Sequence, residues 1–305
     1  MTSRSGWLGL VFASQLILAC SSDSGTATQS SSTGGEGSTS VGEPSTASAI
    51  TTVPATSTTS APTSTTTTTT IAPTTSTSTT TSTTVTPSLV TEIRVIGQSV
   101  QGRDITAYRM GTTDGRPVLL IGVIHGDEAK GYDVTQLIRT MPTPPGIDLW
   151  LIDSINPDGQ AANTRQNANG VDLNRNVSYK WNYIPRSADN GQYSGEAPAD
   201  QPETKALETF VAEIRPQITI FWHQDANRVS PGGARLEIPM KFASIVGLST
   251  ASTPCTAGCT GTATQYVNHE VKGGTAFIVE LPGNDAVTPA MVALHAAATL
   301  QVITL

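Results

Sequence analysis

Residues 117–128 read Pro117-Val118-Leu119-Leu120-Ile121-Gly122-Val123-Ile124-His125-Gly126-Asp127-Glu128. The run from Pro117 to Ile124 is continuous enough in apolar residues to predict a strand buried on both faces, as in a parallel sheet. Its end delivers the imidazole of His125, and a helix is predicted over Glu128–Arg139. An imidazole and a carboxylate three residues apart, where a strand turns into a helix, can face one ion. Alone, His-x-x-Glu is a weak signal, because a helix-capping acid beside an unrelated histidine produces it more often.

Outward from this stretch, short apolar runs alternate with amphipathic ones. Strands are predicted at Ile105–Met110, Asp148–Ile155, Ile218–Trp222 and Thr275–Leu281, and helices at Pro202–Ile214 and Pro289–Leu300, the last with proline at its start. This pattern predicts an α/β class, with a single globular domain built on a mixed, largely parallel sheet flanked by helices. His223 follows the predicted strand Ile218–Trp222 directly. In open α/β sheets ligands bind beyond the carboxyl ends of strands, where both His125 and His223 would fall. Two histidines and a glutamate leave a tetrahedral zinc one open position for water, the arrangement of a hydrolytic site.

Three further segments carry chemistry: Asn156-Pro157-Asp158-Gly159; Arg165 followed by Asn169-Gly170-Val171-Asp172-Leu173-Asn174-Arg175-Asn176; and Phe277-Ile278-Val279-Glu280-Leu281. With the His-x-x-Glu and His223, they resemble the zinc carboxypeptidase family in order and context, over essentially the whole globular part. The resemblance implies that His125, Glu128 and His223 hold zinc and that Glu280 is the general base for the attacking water. It implies that Arg165 stabilises the oxyanion, and that Asn174 and Arg175 grip the substrate's terminal carboxylate. It also implies that Asp172 accepts the other ring N–H of His125. Physical chemistry suits these roles. A carboxylate after four apolar residues, as at Glu280, is costly to bury without a partner or a function, and a guanidinium fork fits a carboxylate bidentately.

The digestive members of that family carry an arginine just before the glutamate ligand, where this chain has Asp127. His-Gly-Asp-Glu and the Gly274–Pro282 strand look more like the bacterial branch that includes murein peptide amidases and, more distantly, deacylases of acyl amino acids. The expected substrate is therefore a peptidoglycan-derived peptide, cleaved between γ-D-glutamate and diaminopimelate. A general carboxypeptidase or an N-acyl amino acid deacylase is the alternative. A catalytically inactive wall-binding lipoprotein would have lost a ligand or the base, and neither is lost. Tyr266 is the nearest candidate for the family's mobile tyrosine, His269 is a candidate to face the pocket, and His295 reads as a packing or surface histidine.

The remaining features concern placement in the cell. The chain has 305 residues, a formal charge of −7 and no basic cluster, which argues against a nucleic-acid partner. Trp7–Ala19 is a short apolar stretch after Arg4, ending at Cys20. Ile17-Leu18-Ala19-Cys20 resembles a bacterial lipobox, which implies a lipid anchor at Cys20 and an exported, cell-surface protein; an ordinary signal peptide is the alternative. From Pro44 to Thr91 there is no charged or aromatic residue, so that stretch lacks the apolar surface to offset its ordering entropy. The expected organisation is a signal segment at 1–20, a Ser/Thr/Pro-rich linker at 21–90 and a catalytic domain at 91–305. Cys255 and Cys259 flank a turn that a small disulfide could close, with the bridge itself left open by the sequence, and the absence of further ligands nearby argues against a zinc site.

Overall fold

The computed structural model describes residues 89–187, 191–252 and 259–305. The expected signal segment, Cys20, Cys255 and all but the end of the linker lie outside them. Cys259 is disulfide-bonded. In chain order the elements are β1 (Val90–Gln98), β2 (Asp104–Gly111), β3 (Arg116–Ile121), α1 (Lys130–Ile138), β4 (Ile147–Ile152), α2 (Pro157–Ala162), α3 (Leu173–Asn176) and α4 (Pro202–Ile214). There follow β5 (Ile218–Gln224), β6 (Arg228–Ser230), α5 (Glu237–Val246), β7 (Ser249–Thr250), α6 (Ala263–Glu270), β8 (Thr275–Leu281) and α7 (Pro289–Val302).

The strands join in one sheet of order β1-β2-β4-β3-β5-β8-β6-β7. Its centre, β4-β3-β5-β8, is parallel. β1, β2 and β4 pair antiparallel on one side, and β6 pairs antiparallel with β8 on the other. Strand alternation divides the core in two. Val118, Leu120, Ile220, Trp222 and Val279 face α1, α5 and α7, while Leu119, Ile121, Phe221 and Ala276 face α4 and α6. From β3 the chain goes to β4 on one side and later to β5 on the other, so the strand order reverses at β3. Such a reversal opens a crevice at the carboxyl ends of the strands.

The α/β class and mixed sheet hold, and Pro202–Ile214 and Thr275–Leu281 coincide with α4 and β8. Among the boundaries that move, such as the end of β4 at Ile152 rather than Ile155, three bear on the site and have a physical reason. β3 leaves the ladder at Ile121, level with the end of its partner β4 at Ile152, although Val123 and Ile124 stay buried. His125 therefore stands beyond the ladder. α1 begins at Lys130 rather than Glu128, because the Glu128 N–H donates to the carbonyl of His125 at 3.1 Å in a turn, outside the helix. His223 lies inside β5, since pairing with β8 continues through Gln224↔Leu281. The edge strand β1 escaped the sequence reading: it exposes Ile93 and Val95, so its apolar residues do not mark a core face.

Candidate metal centre and substrate cavity

The loop after β3 is held close to α2 by Asn156, which caps that helix by accepting from the Gly159 N–H at 3.0 Å. The same side chain donates to the carbonyl of Ile124 at 3.1 Å and to that of Arg165 at 3.3 Å. Asn156-Pro157-Asp158-Gly159 thus fixes where both His125 and Arg165 emerge. Gly126 is required by this approach, since a Cβ there would lie 1.9 Å from the carbonyl carbon of Gly159.

His125, Glu128 and His223 converge on one point. His125 Nδ1 lies 2.8 Å from one Glu128 oxygen, His223 Nδ1 lies 2.8 Å from the other, and the two Nδ1 atoms are 3.2 Å apart. Two ring nitrogens facing each other can share only one proton, whereas one cation satisfies both. Ligand atoms of a tetrahedral zinc with bonds of about 2.0–2.2 Å stand roughly 3.3 Å apart; the two ring nitrogens meet that spacing, and each faces a different oxygen of Glu128. Among the described residues the cluster has these three members, which leaves room for a fourth, non-protein ligand. The donor set and spacing fit zinc. His125 Nε2 meets Asp172 Oδ1 at 3.1 Å, which orients the ring and presents Nδ1 to the metal.

Asp172 organises the opposite wall. It caps α3 by accepting from the Asn174 N–H at 2.9 Å and accepts from Arg165 Nε at 3.0 Å. Arg165 also donates to Glu128 Oε1 at 3.0 Å. Burial alone would raise the pKa of Asp172, but the charges of Arg165 and His125 hold it well below the carboxylate range. Glu128 is likewise held low, against its burial, by His125 and His223. Burial would lower His125, yet Glu128 and Asp172 raise it. Its proton therefore competes with a metal.

α3 carries Asn174 and Arg175 into the cavity. Asn174 Oδ1 accepts from the first N–H of α6, at Ala263, at 2.9 Å, so its side chain joins two elements besides facing the cavity. Arg175 is aimed by two bonds: Nη1 donates to the carbonyl of Asn174 at 2.7 Å and Nε to Gln192 Oε1 at 3.3 Å. Glu280 reaches the site through sheet register, as the β8 partner of His223. All of the expected site residues, His125, Glu128, Arg165, Asn174, Arg175, His223 and Glu280, line one cavity of about 550 Å³.

Other expectations are corrected. His269 does not line the cavity. It is exposed and stacks on Tyr179, with ring centroids 3.9 Å apart. Tyr266 is turned toward α4, where its hydroxyl donates to the carbonyl of Glu208 at 3.2 Å and burial pushes its pKa up to about 12. For His295 the packing alternative holds, since it is a core residue, 2% exposed. The sequence reading missed Gln192, which aims Arg175, and the α6 residues Gln265 and Asn268. The pair on α6 had a signal, being polar residues spaced i, i+3 on one helix face. Gln192 had none, because its role depends on a loop returning from a distance.

The family model for zinc carboxypeptidases matches residues 78–235. Murein peptide amidase A of Escherichia coli (strain K12) is 30% identical over 138 residues, which cover 42% of this chain and 57% of that protein. A metallocarboxypeptidase A-like protein of Trichophyton verrucosum is 28% identical over 242 residues, covering 63% of this chain and 57% of that one. The chain thus spans little more than half the length of these curated relatives. The crystal structure of murein-tripeptide amidase from Escherichia coli O157 superposes with a TM-score of 0.55 at 22% identity, covering 68% of this chain and 91% of that one. Carboxypeptidase A from Helicoverpa armigera gives a TM-score of 0.58 at 19% identity, covering 71% of this chain and 67% of that one. At these identities the two structures establish a shared fold.

Proposed function

Because the chain belongs to the zinc carboxypeptidase family, we propose that it hydrolyses the amide bond before a carboxylate-bearing terminal residue, in cell-wall peptides carrying the γ-D-glutamyl-diaminopimelate bond. The observation that carries this reading is the meeting of the His125-Glu128-His223 cluster, Glu280 and Arg175 in one cavity.

His125, Glu128 and His223 would hold the zinc. When bound, the metal polarises the scissile carbonyl and lowers the pKa of a water toward about 7. Glu280 takes a proton from the attacking water and returns it to the leaving amine. Arg165, locked by Asp172 and Glu128, offers a fixed positive charge to the developing oxyanion. Arg175 pairs with the substrate's carboxylate and places the bond to be broken. Asn174 lines the same wall and keeps α6 in position.

The cell-wall substrate is supported by the similarity to murein peptide amidase A and by the His-Gly-Asp-Glu motif. A second reading, a general carboxypeptidase, is favoured by the longer match to the Trichophyton protein. The proposal extends to an exported protein with its lipid anchor at Cys20, on the strength of Ile17-Leu18-Ala19-Cys20 and the apolar stretch before it.

Defined muropeptides digested beside ordinary peptides with free C-termini test the substrate, with zinc measured on the same preparation. One zinc per chain, its loss in His223→Ala, and preference for the γ-linked muropeptide are expected. Preference for α-linked peptides would move the assignment to a general carboxypeptidase. A parent protein without stoichiometric zinc would remove the metal mechanism altogether.

A further inference from the structure

Arg165 and Asp172 stand at the two ends of a short loop, and Asn167 closes it. The Asn167 N–H donates to the carbonyl of Val171 at 3.0 Å, and its carbonyl accepts from the Gly170 N–H at 2.9 Å. Its side-chain Oδ1 accepts from the N–H groups of Asn169 and Val171, each at 3.1 Å. On the outer side, Nδ2 donates to Gln201 Oε1 at 2.9 Å and to Glu203 Oε2 at 3.0 Å, at the start of α4. The orientation of the amide is fixed, because backbone N–H groups only donate and the oxygen must face them. All four hydrogen bonds open to this side chain are therefore made, at 3% exposure.

Glu203 is fully buried, and its two oxygens meet neutral donors, the Val100 N–H at 3.0 Å and Asn167 Nδ2. Burying a carboxylate against neutral donors is costly, so stability alone does not explain it. Neither Asn167 nor Glu203 lines the cavity, and the reaction above uses neither. The two ends of the loop depend on it unequally. Asp172 has bonds of its own, since its N–H donates to the carbonyl of Tyr193 at 2.8 Å and its carboxylate meets the Asn174 N–H and His125. The Arg165 carbonyl accepts a bond of 3.3 Å from Asn156 Nδ2, and its guanidinium reaches Asp172 and Glu128 from where the loop places its backbone.

We propose that Asn167, fixed to α4 through Glu203, is a positioning residue for Arg165: it closes the loop so that the guanidinium stands where the oxyanion develops, and it touches no substrate. A misplacement of about 1 Å in such a group costs roughly 10²-fold in rate. The oxyanion exists only on the way to products, so the loss falls on kcat and kcat/KM alike and leaves KM in place. The inference rests on the peptidase reading above, in which Arg165 faces the developing oxyanion.

The test uses the zinc-loaded full chain and whichever of the γ-linked muropeptide and the α-linked peptide the parent cleaves faster. Asn167→Ala should lower kcat by about 10–100-fold, with KM within about threefold of the parent and one zinc per chain retained. In an Arg165→Ala background the same substitution should cost less than about threefold, because it acts through a group already gone. Asn167→Asp keeps the loop's acceptor but sets a carboxylate against Glu203. Adding Glu203→Gln returns a donor between them, so the double variant should regain about fivefold or more over Asn167→Asp alone. Tm verifies that each variant is folded, and if Asn167→Ala does not fold, Asn167→Asp takes its place in both backgrounds. Equal losses in the two backgrounds overturn the proposal, and so does a folded Asn167→Ala that loses zinc or changes KM alone. A double variant no better than Asn167→Asp overturns the part given to Glu203. An Arg165→Ala chain as active as the parent would remove the role of Arg165, and failure of the parent to cleave either peptide would remove the peptidase reading itself, in each case with this inference.

Discussion

Glu280 of β8 is the registered partner of His223 of β5 in a parallel ladder that runs from Ile218↔Thr275 to Gln224↔Leu281. Along β5, Phe221 and His223 share a face, and along β8, Ala276, Ile278 and Glu280 share the same one, toward α4 and α6. One rung therefore sets a metal-ligand candidate beside a base candidate, both 5% exposed. A slip of one residue would send Glu280 into the opposite core.

That geometry predicts the behaviour of Glu280→Gln. The amide fills the same space, so the ladder and the metal cluster should survive and zinc content should stay at one per chain. It cannot accept a proton, so kcat should fall by about 10²–10⁴-fold. Steady-state kinetics together with metal analysis make the measurement. Activity within a few-fold of the parent would assign the base to another group.

Arg175 is expected to act through the substrate's carboxylate. Removing one partner of a desolvated charge pair costs about 2–5 kcal/mol, so Arg175→Ala should lose kcat/KM steeply on the free acid. Amidating the carboxylate should cost the parent a similar amount. The two changes together should cost little more than either alone, because they delete one interaction. Additive losses in that cycle would show that Arg175 and the carboxylate do not meet.

Asp172 touches both His125 and Arg165, at 3.1 Å and 3.0 Å, and should therefore influence metal and chemistry together. Asp172→Asn retains an acceptor for one neighbour but removes the charge that pairs with Arg165. Loss of such an orienting carboxylate typically weakens metal affinity by about 10–100-fold. Zinc competition against a chelator of known affinity reads this directly. Unchanged affinity would confine Asp172 to capping α3.

His295 makes a prediction away from the cavity. It is buried against Phe242, its Nδ1 has no partner among the described residues, and burial pushes its pKa down to about 4. In an unfolded chain it titrates near 6.5. Between these values the unfolded state binds a proton that the folded state does not, so stability rises with pH across the window. Acidification from about pH 7 to about pH 4 should therefore cost up to roughly 3 kcal/mol through this residue. Denaturant midpoints at several pH values should show the slope, and His295→Leu should flatten it. An equal slope in that variant would place the acid sensitivity elsewhere.

The sequence by itself determined the α/β class and the buried strands, and it singled out candidate residues that meet in one cavity. These rest on local patterns: an apolar run ending at His125, a carboxylate after four apolar residues at Glu280, and motifs whose spacing is fixed within one loop. Tertiary structure alone decided three things. The rung joining His223 to Glu280 depends on strand order and register, since 57 residues separate them (280 − 223 = 57). The aim of Arg175 depends on Gln192, which a returning loop supplies. The rejection of Tyr266 and His269 depends on which face of α6 packs on its neighbours: Tyr266 turns to α4 and His269 to solvent and Tyr179, while Gln265 and Asn268 keep the cavity. A helix's sequence shows that it has two faces, but only its neighbours determine which face meets the substrate, because burial is a property of the assembled layers.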